Sequence, residues 1–274
     1  MPKRLSKLSA PLGIERDYQS DLRRIVTRVK VIIDDNIVKS LPSIMDEVNA
    51  GRPTSDSIRF DNISQKVADL FTATQIQIDS EITDFDIDRI TQAKGSEMSN
   101  WNKAQITKVL KQGLGIDLFQ GEPWLAEELR IFAINNSNLI KSNNAAFLSN
   151  VENLTFDGMR RGLRHEEIAN QILARNKTEL GKASSFKKAK NRANLIARDQ
   201  INKLNGNLIE LRQKNAGVKR YIWRTNIDGR ERATHNDWNG QTFTWAKGSP
   251  IGTHPGDEIQ CRCYAEPDLS DLLK

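Results

Sequence analysis

The sequence predicts a mainly α protein with a small C-terminal α+β module: long N-terminal helices, a basic helix, and then a short β-hairpin/loop domain. Three observations predict it. Apolar residues recur every three or four positions through most of the chain, which is the period of amphipathic helices. After Lys219 that period gives way to alternation, with Tyr221, Trp223 and Thr225 set against Ile222 and Arg224, and the alternation stops at the turn dipeptide Asp228-Gly229. Aromatic content is low at 6% and charge is high at 28%, which suits long solvated helices better than a compact sandwich.

Taken in order, residues 1–13 read as an unstructured basic leader ending at Pro11 and Gly13. From Arg16 to Leu41 the positions Tyr18, Leu22, Ile25, Val29, Ile32 or Ile33, Ile37 and Leu41 form one apolar stripe, closed by Pro42 and the turn Gly51-Arg52-Pro53. Asp56 or Ser57 caps a second helix whose stripe runs Ile63, Val67, Leu70, Phe71, Thr74 and Ile78, extending toward Ile82 and Ile90, and the two pair as an antiparallel hairpin. A third helix is expected over Ser99–Leu114. Pro123 is placed to begin a fourth, Trp124 to about Lys141, because its missing amide donor costs nothing there. Shorter helices follow at 144–163 and 165–175, the second with Glu166 and Glu167 at its positive end. Ser184 or Ser185 opens the last long helix, which runs to Asn215 and stops at Ala216-Gly217.

This reading divides the chain into a helical N-terminal region (1–120), a helical middle region with the basic helix (121–217), and a module rich in Cys, His and Trp (218–274). No run approaches the ~18 apolar residues needed to cross a bilayer, and the first residues lack the apolar stretch of a signal peptide. The expectation is therefore a protein acting in a cytoplasm or inside something assembled there, with no membrane partner. Its two cysteines, one residue apart, are too close for a useful staple and are expected as thiols.

Charge is unevenly placed. Residues 1–150 carry 19 basic and 20 acidic side chains, and residues 151–274 carry 22 and 15. Between Arg175 and Arg220 thirteen basic residues face only Glu179, Asp199 and Glu210. Lys182, Lys187, Lys188, Lys190, Arg192, Arg198 and Lys203 are the candidate contacts to double-stranded DNA, through counterion release and without base readout. A solvated helix face accounts for the same charges. The string HEEIANQIL ahead of a basic helix also suggests a helix-turn-helix, but the connection from Asn176 to Lys182 is longer than the tight turn that motif uses.

The C-terminal module holds both cysteines and two of the three histidines. His235, His254, Cys261 and Cys263 offer the four nitrogen and sulfur ligands that structural zinc prefers, and a small module with little apolar content gains stability from a metal. The competing reading puts Cys261 and Cys263 on opposite faces of a strand, one packed and one exposed, with the histidines as hydrogen-bonding loop residues. The spacing is not a standard zinc-finger pattern. A zinc with an open position assisted by Asp237 or Glu258, or a cysteine nucleophile with His235 as base, would support catalysis. Arg230, Arg232 and Arg262 would hold an anion, or would pair with Asp228, Asp237 and Glu258. Trp223, Trp238 and Trp245 are expected to form the core of the module.

The series Trp223, Asp228, Arg232, His235, Asp237, Gly240, Phe243, Trp245, then His254-Pro255-Gly256 and Cys261-Arg262-Cys263, resembles the C-terminal domain of the phage Mu protein F family, the minor head morphogenesis proteins of tailed phages. Leu195-Ile196-Ala197-Arg198-Asp199-Gln200 and Lys203-Leu204-Asn205-Gly206 resemble the helix before that domain, so the similarity covers roughly residues 125–270. The resemblance implies a structural minor head protein rather than an enzyme, acting in procapsid assembly. Its implied partners are the portal protein, a scaffold or major capsid protein, and packaged DNA. Its implied location is the capsid interior, reached from the host cytoplasm. The contrasting possibility is a zinc-dependent nuclease or toxin-like enzyme carried in the particle.

Overall fold

The computed structural model describes residues 7–51, 57–115, 121–174, 181–226, 229 and 231–273. Its elements are α1 (Leu12–Asn36), a 3-10 turn (Val38–Ser40), α2 (Leu41–Gly51), α3 (Ser57–Glu81), α4 (Asp84–Leu114), α5 (Leu125–Arg161), α6 (His165–Leu173), α7 (Ser185–Asn215), β1 (Arg220–Arg224), α8 (Ala233–Trp238), β2 (Thr242–Thr244) and β3 (Tyr264–Asp268). The mainly α architecture with a small C-terminal α+β module is the observed one. No helix among the described residues is long and apolar enough to cross a membrane.

Several boundaries differ from those read off the sequence. The first helix starts at Leu12 and ends at Asn36, and Leu8 ahead of it is buried, so residues 7–13 are not an unstructured leader. Pro42 does not close a helix but sits in the first turn of α2, where its missing donor is harmless. The helix expected from Ser99 begins fifteen residues earlier, at Asp84: Thr83 Oγ1 accepts the Asp86 backbone N–H at 3.2 Å and donates to the Asp86 carboxylate at 2.8 Å, a reciprocal cap. The helices expected at 124–141 and 144–163 are one helix, α5. Asn143, at the expected gap between them, is buried and its side-chain amide donates to the Ala189 carbonyl at 3.1 Å, so its polarity is satisfied without ending the helix.

The chain forms two compact units. One comprises Ser20–Asp88 and Ser137–Asn194. In it the expected hairpin is present: Asn36 donates to Gln77 Oε1 at 2.7 Å while Arg28 reaches the Glu81 carbonyl, so α1 and α3 run antiparallel. Ile33, Val67, Phe71, Phe147, Val151 and Ile172 are among its buried side chains.

The other unit comprises Met1–Gln19, Arg89–Asn136 and Leu195–Lys274. Its sheet has the order β2-β1-β3, all antiparallel. The β1–β2 hairpin is the expected one, with Tyr221 opposite Phe243; β3 adds a third strand beyond that hairpin, and as an edge strand it tolerates Pro267. Alternation along β1 sends Tyr221 and Trp223 into a core with Trp238, Trp245, Ile106 and Ile209, so the three tryptophans do form the centre of the module. Beside it lies a buried polar cluster. Arg212, fully enclosed, donates to Glu122 Oε1 at 2.6 Å, the Ser99 carbonyl at 3.0 Å, Asn102 Oδ1 at 2.6 Å, Ser99 Oγ at 2.9 Å and Glu122 Oε2 at 3.3 Å, which uses the whole guanidinium fork.

Candidate metal centre

His235, Cys261 and Cys263 come together as one buried group, with their donor atoms all within 4.8 Å of one another. His235 lies on the short helix α8, whose last turn presses it between Trp223, edge-on at 5.2 Å, and Trp238, stacked at 5.3 Å between centroids. The imidazole is therefore fixed in orientation. Its Nδ1 stands 3.6 Å from Cys261 Sγ and 3.4 Å from Cys263 Sγ, and its Nε2 is 3.2 Å from Glu258 Oε1. Glu258 in turn pairs with Arg232 at 3.0 Å. A carboxylate on the far nitrogen of an imidazole whose near nitrogen faces two sulfurs is the outer-shell arrangement of metal-binding histidines.

Both cysteines are buried, at 5% and 7% exposure, so they do not split into one packed and one exposed residue. The pair divides its protons unequally. A hydrogen bond from Cys263, reinforced by His235 and the backbone amides of Cys263 and Gly256 and opposed by burial, lowers Cys261 to about 5. The same bond, together with burial, pushes Cys263 well above the ordinary thiol range. The His235 imidazole is raised by its hydrogen bond to Cys261 against the cost of burial, with Glu258 adding to the effect. Two thiols that hold their protons unequally and one imidazole thus share one pocket, and a divalent cation can replace protons there.

The loop that delivers the cysteines is tied to α7. Gln260 has φ +60, a left-handed conformation uncommon outside glycine; its N–H donates to Asp199 Oδ1 at 2.8 Å and its carbonyl accepts from Arg198 at 3.2 Å. Arg262, between the two cysteines, forms a forked pair with buried Glu15 of α1, with Nε 3.0 Å from Oε2, and Asn202 donates to the same carboxylate at 3.1 Å. A cleft of about 350 Å³ opens beside the group, lined in part by Arg198, Asn226, Arg232 and Gln260.

His254 is placed elsewhere. Its Nδ1 meets the Tyr221 hydroxyl at 3.0 Å, its ring packs on Trp245 at 5.2 Å, and burial raises the Tyr221 phenol well above its usual range. Asp237 is exposed; Asp228 and Arg230 lie outside the described residues. Arg232 pairs with Glu258, as one sequence reading had it, whereas the Glu15 partner of Arg262 was not foreseen, because nothing local in the sequence links residues 247 positions apart.

The basic candidates separate into two groups. Lys188 and Arg192 are exposed, one turn apart on α7; Lys182 is exposed before it, and Lys187 and Lys190 are half-buried, with Lys190 5.3 Å over the Phe186 ring. Arg198 and Lys203 are used internally, Arg198 on the Gln260 carbonyl and Lys203 on Asp199 at 2.9 Å. The connection that argued against a helix-turn-helix lies largely outside the described residues.

The model of the family described as Phage Mu protein F like protein matches residues 149–266, a span that contains α7, β1, His235 and both cysteines. A protein of Haemophilus influenzae, described as uncharacterized, is 34% identical over 173 residues, covering 62% of this chain and 36% of that relative. The chain thus spans about a third of the relative's length. No solved structure matches.

Proposed function

On the premise that residues 149–266 belong to the Phage Mu protein F like family, we propose that the chain is a structural minor head protein of a tailed phage, acting in head morphogenesis. It joins the procapsid at the portal, contacts packaged DNA without sequence preference, and remains in the virion. The observation that carries this reading is that the residues of the resemblance are those that build and brace one rigid module: Asp199 and Arg198 hold the Gln260 turn, and the tryptophans form the core around His235. Exposed Lys182, Lys188 and Arg192 support the DNA contact. The portal contact rests on the family resemblance.

In this reading the group is a structural zinc site. With Zn–S at about 2.3 Å and Zn–N at about 2.0 Å, a sulfur and a nitrogen on one tetrahedral zinc stand about 3.6 Å apart. The Nδ1–Sγ separations of 3.6 and 3.4 Å are close to that. His235, Cys261 and Cys263 supply three of the four tetrahedral positions, leaving one to water or an unassigned donor, and zinc would pin the cysteine loop to α8. A zinc-dependent nuclease is the second reading, and the cleft beside the three donors is the observation that favours it. Against it, Glu258 is already engaged by His235 and Arg232 and is a poor general base.

The test is fractionation of a phage assembly reaction on a density gradient, with blotting for this chain and for a portal protein. The chain is expected in portal-containing procapsids and in mature particles. Its absence from both, with a soluble pool intact, would contradict the proposal.

A further inference from the structure

Facing stretches of α5 and α7 enclose a second cleft, of about 130 Å³, within the unit formed by Ser20–Asp88 and Ser137–Asn194. Sites that take whole small molecules run to roughly 300–1,000 Å³, so this one admits a single compact group. Lys188 and Arg192, four residues apart and both exposed, border it from α7. Ser185, in the first turn of that helix, lines it and is only 3% exposed, yet its hydroxyl has no hydrogen-bond partner among the described residues. The neighbouring Ser184 is fully employed: it donates to the Ala174 carbonyl at 2.5 Å and accepts the Lys187 N–H at 3.1 Å, which makes it the cap. The second serine is therefore not needed to end the helix.

The surroundings favour an anion. Among the described residues no carboxylate lines the cleft, and the facing wall of α5 carries no acidic residue from Ser142 to Val151. Arg192 donates to Ser142 Oγ at 3.1 Å, which steadies its guanidinium beside the opening. The start of a 31-residue helix adds its own positive potential. A buried hydroxyl without a partner costs free energy unless something occupies the site and bonds to it.

We infer that this cleft docks one backbone phosphate of double-stranded DNA, held by Lys188, Arg192 and the Ser185 hydroxyl. The inference rests on the DNA contact proposed above and gives it an address. The remaining basic residues near the start of α7, Lys182, Lys187 and Lys190, add steering charge, so duplex DNA rather than the free ion is the ligand.

Fluorescence anisotropy of the full chain with a mixed-sequence DNA duplex, over a series of salt concentrations, tests this. The double substitution Lys188→Gln, Arg192→Gln is compared with Lys108→Gln, Lys111→Gln, which removes the same charge from exposed positions on α4. The cleft variant is expected to lose roughly tenfold or more beyond the control and to flatten the log–log salt slope by about two. Ser185→Ala, a small change that leaves the helix intact, is expected to weaken binding about two- to tenfold at an unchanged slope. Equal loss in cleft and control variants, or wild-type affinity in Ser185→Ala, would overturn the phosphate site while leaving DNA contact standing. Wild-type protein that does not bind the duplex would overturn both. Inorganic phosphate titrated alone supplies the last arm: tight uptake of the free ion, with DNA binding indifferent to all three positions, would make this a free-phosphate site and overturn the assignment to DNA.

Discussion

Gly206 of α7 lies so close to Pro255 that a Cβ on Gly206 would stand 2.6 Å from the Pro255 carbonyl oxygen, and one on Gly256 would meet the Gly206 Cα at 3.1 Å. The helix and the cysteine-bearing loop thus meet backbone to backbone. Glycine in a helix interior costs up to about 1 kcal/mol relative to alanine, so its presence here has a packing reason. Gly206→Ala is expected to destabilise by about 1–3 kcal/mol, because the contact is to backbone that cannot turn away. Gly13→Ala in α1, with nothing within 4 Å of the added methyl, is expected to be neutral or stabilising. Thermal unfolding of the two variants checks the contrast.

Arg212 and Glu122 predict a pH dependence. Burial alone would raise the Glu122 carboxyl, but the hydrogen bonds and charge of Arg212, joined by Lys103, outweigh it and hold the group below the ordinary carboxylate range. A depressed folded value means that the pair's stabilisation is complete above the unfolded value of about 4.3 and is lost as pH falls through the folded one. Wild-type unfolding temperature should therefore drop below about pH 4. Glu122→Gln should lose about 3–5 kcal/mol at neutral pH, since it leaves Arg212 buried without its counter-ion, and should flatten that acid limb. Unfolding midpoints across the acid range read both effects.

Gln260 and Asp199 predict a pair of opposite effects. Gln260→Gly relieves a left-handed backbone and is expected to stabilise by up to about 1 kcal/mol. Asp199→Ala strands the Gln260 N–H and removes the Lys203 partner, and is expected to cost about 1–3 kcal/mol. Chemical denaturation midpoints, with slopes held equal, check the signs.

Much of the architecture was legible because helical period is local. The stripe Tyr18 to Ile33, the hairpin from Arg220 to Thr244, and the stop at Gly217, with φ +78, need only neighbouring residues to be read. What was misread involved polar residues whose partners are distant. The helix from Leu125 to Arg161 was split in two because the Ala189 partner of Asn143 was not in view, and β3 was missed because its edge position exists only once β1 is paired on both sides. The site followed the same pattern. Composition pointed to His235, Cys261 and Cys263 together with His254, but only the fold shows His254 on the Tyr221 hydroxyl. Glu258 stood out as a charged loop residue, and its place behind His235 depended on the turn that α8 makes.

Metal content is the most direct test of the central claim that His235, Cys261 and Cys263 act as one ligand set. Protein purified under reducing conditions without added chelator, measured by elemental analysis, is expected to carry about one zinc per chain, in line with the one donor group among the described residues. His235→Ala and Cys261→Ser should lose it, His254→Ala should keep it, and the loaded protein should not cleave DNA. Metal-free wild-type protein that unfolds at the same temperature with and without added zinc, or a zinc site that survives Cys261→Ser and vanishes in His254→Ala, would contradict it.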